Sequence, residues 1–168
     1  KMHSFNADYI RAMSVAEFIG ACEPWLTGEK AMWQAQNYDA KVFAEIAPLV
    51  QTRVQLLQDV SSMVDFLFCD LPTIDDAAFT KAFAPEWAIA TLIEIRDGFT
   101  TCEFNPDALK AVVEAVGEKH SLKLGKLQAP LRVAVTGRSV GPPLFEPIAL
   151  LGREATLKRI DAALAKKV

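Results

Sequence analysis

Apolar residues recur at three- and four-residue steps along most of the chain, the spacing that lines one face of an α-helix. Ser14-Val15-Ala16-Glu17 reads as a capping box opening a run through Phe18, Ile19 and Cys22 toward Trp25. Asn37 is placed to cap a helix over 38–47 that stops before Pro48. Over 53–68, Leu56, Leu57, Val60, Val64 and Leu67 form one apolar helix face. Leu71-Pro72-Thr73 interrupts the pattern, and Thr73 can cap the next helix with Asp76 at its third position.

Pro85 suits the first turn of a helix reaching about Arg96 and ended by Asp97-Gly98. Asn105-Pro106-Asp107 combines an N-cap, a proline at the first helical position and an acid in the first turn, predicting a helix to about His120. A short helix is expected over 130–135, stopped near Thr136-Gly137. Gly141-Pro142-Pro143 reads as a rigid turn, and a last amphipathic helix covers 154–165. No strand alternation, internal repeat or low-complexity segment stands out. The fold class is therefore all-α, a bundle or cage of two small helical subdomains, 1–72 and 73–168.

With 168 residues, about half of them apolar, the chain can bury a core. No stretch approaches the roughly 18–20 apolar residues that cross a bilayer, so no membrane role is expected. Methionine stands second and not first, which fits a piece of a longer protein. Cys22, Cys69 and Cys102 are odd in number and widely spaced, an arrangement that suits reduced thiols in a cytoplasmic compartment. His3 and His120 lie far apart without a surrounding motif and read as surface residues. No phosphate-loop, HExxH, GxSxG or GxGxxG signature occurs.

Charge changes the picture. Residues 1–118 carry 8 Lys/Arg against 18 Asp/Glu, a balance of −10, while 119–168 carry 10 against 3, a balance of +7. Such a split suits a polyanion-facing end, or equally a solvated basic face on the last helix. Within the basic part, Arg132 heads an apolar run between two turns rich in glycine and proline. A planar guanidinium can lie over a base and hydrogen-bond its edge. The Thr136 hydroxyl and the backbone amides of Gly137 and Gly141 could approach RNA closely, and Pro142 and Leu144 could pack on a base face. The alternative is a surface loop with Arg132 in an internal ion pair.

The stretches 123–137 (KLGKLQAPLRVAVTG), 141–146 (GPPLFE), 150–154 (LLGRE) and 159–164 (RIDAAL) resemble the C-terminal region of bacterial glutamyl-tRNA synthetases. Phe5-Asn6-Ala7-Asp8-Tyr9-Ile10-Arg11 is similar to the element that follows the catalytic part in that family. The resemblance implies a two-part α-helical cage that binds the anticodon loop of glutamate tRNA. The parent would be a class I glutamate–tRNA ligase using ATP and Mg2+. Its HIGH-like and KMSKS-like motifs do not occur here, so the chain alone is expected to be inactive, to need no cofactor and to be a monomer.

By the same resemblance, Arg132 matches an anticodon-contacting arginine, Pro142 and Leu144 match loop positions packing against the anticodon, and Gly141 replaces a hydrogen-bonding loop residue. Arg53 matches an arginine reading the third anticodon base. Two positions depart from the pattern: Ala129 stands where some members carry glutamine, and Glu114 where some carry a base-contacting arginine. Two other readings are a helical protein-interaction module docking an acidic partner and a small complete enzyme.

Overall fold

A computed structural model describes the backbone of residues 2–167 and the side chains of residues 7–166. The side chains of His3, Phe5 and Asn6, on which two of the readings above rest, lie outside the described set. Among the described residues the secondary structure is entirely helical. Two compact units divide the chain, Lys1–Cys69 and Asp70–Val168.

The first unit contains α1 (Met2–Ala12), α2 (Val15–Leu26), α3 (Ala40–Gln51) and α4 (Asp59–Val64), with 3-10 turns at Ala35–Asn37 and Asp65–Phe68. At the start of α2 both bonds of the capping box form: the Ser14 hydroxyl accepts from the Glu17 amide, and the Glu17 carboxylate accepts from the Ser14 amide. Phe18, Cys22, Phe43, Ile46 and Val50 are sealed between α2 and α3. Gln51 closes the entry by donating from Nε2 to the carbonyls of Ile10 and Met13, both at 2.8 Å.

Two expectations change here. Asp39, not Asn37, caps α3, accepting from the amides of Lys41 and Val42, and the helix continues through Pro48 to Gln51. The 53–68 helix is also shorter: residues 52–58 form turns and only Asp59–Val64 is α-helical. The apolar spacing over 53–57 serves a turn whose Val54 reaches the core.

The second unit contains α5 (Asp76–Phe83), α6 (Trp87–Phe99), α7 (Pro106–His120), α8 (Leu124–Thr136), α9 (Phe145–Leu151) and α10 (Arg153–Lys167). Asn105 caps α7 as its sequence predicts, accepting from the Ala108 amide at 2.9 Å. Asp75, not Thr73, caps α5, accepting from the Ala78 amide at 2.8 Å. Helix α6 runs through Asp97-Gly98 instead of ending there, because Phe99 is fully buried and holds the last turn to the core.

Helix α8 departs furthest from its predicted bounds. It begins at Leu124 and carries Pro130 in its interior. An interior proline costs about 3 kcal/mol. Leu127, Leu131, Val133, Ala134 and Val135 are all essentially sealed from solvent. At roughly 1.5–3 kcal/mol for each large apolar side chain, their burial outweighs the lost hydrogen bond. Between Pro130 and Gly137 every residue of this central helix is buried except the half-buried Arg132.

Candidate functional site

The C-terminal half of α8, the turn over 137–143 and the start of α9 bring together six of the seven residues singled out in the sequence: Arg132, Thr136, Gly137, Gly141, Pro142 and Leu144. The seventh, Arg53, lies in the first unit. It is exposed in the turn after α3, with its amide bound to the Val50 carbonyl at 2.9 Å.

Arg132 is half-buried, and its Nη1 donates to the Pro142 carbonyl oxygen at 2.7 Å. The guanidinium thus fastens the turn against α8. A Cβ at Gly141 would stand 3.3 Å from the same nitrogen, so the glycine lets this loop settle onto the arginine.

The other predicted contacts face inward. The Thr136 hydroxyl donates to the Arg132 carbonyl at 2.8 Å and accepts from the Arg138 amide at 3.2 Å, and Thr136 is buried. Gly137 is left-handed at φ 82°, donates to Val133 O at 2.8 Å and accepts from the Asp75 amide at 2.8 Å. Its close neighbour is the chain's own backbone: an added Cβ would lie 2.2 Å from Thr73 O. Pro142 is buried, and Leu144 is 2 % exposed within the core of this unit. Neither offers an open apolar face, because the turn folds these two side chains beneath it. Sequence reasoning passed over Val140, which is 77 % exposed at the tip of the same turn. Its place between Ser139 and Gly141, in a segment too short for a helix, was the available signal.

The basic excess of 119–168 does not form one open face. Lys119 and His120 both bind Glu94, whose carboxyl is held below its ordinary range, chiefly by the lysine bond. Lys158 binds Asp70 at 2.8 Å and lowers its pKa likewise. Arg96 of α6 pairs with Asp161 at 2.5 Å, using one of the few acids of α10. Arg153 donates to the carbonyls of Phe99 and Cys102 at the end of α6, with its guanidinium over the Phe104 ring. Arg159, unremarked in the sequence, is buried and donates from Nη1 to Val135 O at 2.8 Å. Lys123, the N-cap of α8, and Lys126, in its first turn, are exposed. The open cationic surface near the turn is therefore smaller than composition suggests, and Arg138 stands half-buried within the turn itself.

No disulfide joins Cys22, Cys69 and Cys102. Among the described residues there is no cluster of metal-ligating side chains, and no helix is long and apolar enough to cross a membrane.

Residues 17–164 match the family described as "Anticodon binding domain". Glutamate–tRNA ligases of Salinispora tropica and Thermobifida fusca are 50 % and 48 % identical to the chain, over 97 % and 99 % of it and over 36 % and 35 % of their own lengths. The chain spans about a third of the length of these curated relatives. A crystal structure of a glutamate tRNA ligase from Elizabethkingia meningosepticum superposes with a TM-score of 0.79 at 21 % identity, over 97 % of this chain and 31 % of that one. The helical fold is thereby shared with that ligase. The comparisons lend no support to the acidic-partner module.

Proposed function

This chain belongs to the anticodon-binding-domain family, and from that premise we propose that it is the anticodon-reading part of a glutamate–tRNA ligase. Its ligand in this reading is the anticodon loop of glutamate tRNA. Chemistry on glutamate and ATP, with Mg2+, belongs to a catalytic domain whose motifs this sequence does not contain. The intact enzyme would act in the cytoplasm, and the chain itself would be a monomer.

Unstacked loop bases are recognised by stacking and by hydrogen bonds at their edges. One observation carries the reading: Arg132 is the single half-exposed side chain of a buried helix segment, and its guanidinium is pinned by Pro142 O. A planar guanidinium held in this way can lie over a base that approaches the turn. Thr136, Gly137, Pro142 and Leu144 act in this account by building the turn, since their own groups face inward. Gly141 allows the turn to approach Arg132. Arg53, exposed on the first unit, is proposed to read a further base as an independent donor.

The kinetic test uses the intact ligase carrying Arg132→Ala. The expected result is a KM for tRNA raised by about tenfold to a hundredfold, equivalent to roughly 1–3 kcal/mol for a charged contact. The KM for ATP should not change. An unaltered KM for tRNA would remove Arg132 from the interface.

A further inference from the structure

We propose that Arg159 of α10 is a positioning residue for RNA recognition: from inside the second unit it holds the last turn of α8 by the Val135 carbonyl, and through that turn it sets the Arg132 guanidinium. The proposal rests on the reading of Arg132 as the group that meets the RNA.

Arg159 is 2 % exposed. It lies on the face of α10 that also buries Thr156, Ile160 and Ala163, and this helix packs against α8. On such a face an apolar side chain is the ordinary choice, because a buried cation loses its water and must be compensated. Compensation comes from α8, where Val135 O accepts from Arg159 Nη1 at 2.8 Å. The carboxyl end of a helix carries carbonyls without intrahelical partners and a partial negative charge, both of which suit a cation. The buried arginine thus meets the end of the helix whose last turns carry Arg132.

That end of α8 is fastened from several sides. Arg159 holds Val135 O, the Asp75 amide donates to Gly137 O at 2.8 Å, and Arg132 itself donates to Pro142 O at 2.7 Å. The first two grip backbone from within the unit, and the third ties the loop to the helix. Val135 stands within one helical turn of Arg132, so a shift of its carbonyl moves the backbone that aims the guanidinium. An apolar residue at 159 would fill the same space and leave Val135 O without this donor. A recognition group needs such support, since a small loosening of its backbone spoils the geometry of contact.

The test uses the intact ligase carrying Arg159→Met, which keeps apolar bulk and removes the charge, or Arg159→Lys, which keeps the charge without the planar fork. Affinity is measured for glutamate tRNA and for the same tRNA with a scrambled anticodon loop, at several salt concentrations, in wild-type and Arg132→Ala backgrounds. Arg159→Met should weaken cognate binding about tenfold, and Arg159→Lys roughly two- to threefold, effects of the size produced by residues that do not touch the ligand. Affinity for the scrambled loop should hold. Both losses should vanish beside Arg132→Ala, because the two residues act as one unit. The slope of log affinity against log salt should not change, since a buried guanidinium neutralises no phosphate.

Wild-type cognate affinity in a folded Arg159→Met ligase would overturn the assignment, as would a loss repeated in full beside Arg132→Ala or a flattened salt slope. If circular dichroism shows Arg159→Met unfolded, Arg159→Lys decides on the same readings. If Arg132→Ala weakens cognate binding and the Arg159 variants do not, only the positioning role falls. If wild type does not distinguish the two tRNAs, the anticodon reading itself fails.

Discussion

Arg132 Nη1 donates to the carbonyl oxygen of Pro142 across ten residues of chain, at 2.7 Å. The bond ties the last two turns of α8 to the loop preceding α9, and it fixes the plane of the guanidinium. Lysine would keep the charge but lose the planar fork. Arg132→Lys is therefore expected to weaken tRNA binding by about tenfold while leaving the slope of log affinity against log salt unchanged. Arg132→Ala should lose affinity and also reduce that slope by about 0.7, the share of one cation on a single strand. Filter binding at several salt concentrations separates the two. Identical behaviour of the two variants would show that charge alone matters there.

Gly137 sits at φ 82° with Thr73 O where a side chain would begin. Gly137→Ala should lower unfolding free energy by about 1–3 kcal/mol from backbone strain, with more from displacement of the 73–75 segment. Urea denaturation followed by circular dichroism measures it. A variant as stable as wild type would mean that the close approach is not maintained in solution.

The N-caps give a smaller effect of known size. Asn105→Ala and Ser14→Ala should each cost about 1 kcal/mol, since each removes an acceptor for an amide in the first turn of its helix. Thermal melts of the two single variants check this. A loss under a few tenths of a kcal/mol would indicate that the cap is replaced by water.

Burial pushes the Cys22 thiol up from 9.0 to about 12. Tyr38 rises from 10.0 to about 12, chiefly through burial and then through the nearby Glu23 carboxylate. Both groups ionise more readily in the unfolded chain. Their contribution to stability is complete below about pH 9 and is lost as pH climbs toward 12. Urea midpoints should therefore fall between pH 8 and pH 11, and Cys22 should resist thiol reagents at neutral pH until the chain unfolds. A midpoint that stays level through that range would contradict the burial of these groups.

Local signals that need no tertiary information were legible in the sequence. The Ser14–Glu17 box and the Asn105-Pro106 start both act within four residues, and both appear as expected. Prolines misled for the opposite reason. Pro48 and Pro130 read as boundaries, yet each sits inside a helix whose flanking side chains are buried. Asp39 and Asp75 displaced Asn37 and Thr73 as caps, a shift of two residues that local spacing does not resolve.

The candidate site was legible as a segment and not as a set of contacts. Arg132, Thr136, Gly137, Gly141, Pro142 and Leu144 do converge, but which of them face outward depends on how the turn packs on α8. Leu144 and Pro142 turned inward, while Val140 turned out. Charge counting misled similarly. Lys158 and Lys119 are drawn to Asp70 and Glu94, acids from the negative part of the chain. No count along the sequence shows that pairing.

The most direct measurement is the affinity of the chain for the anticodon stem-loop of glutamate tRNA, set against a hairpin with the same stem and a scrambled loop. The account predicts tighter binding to the cognate loop, a preference that Arg132→Ala abolishes while a weak, salt-sensitive attraction to both hairpins remains. Equal affinity for the two loops in the wild-type chain would contradict it.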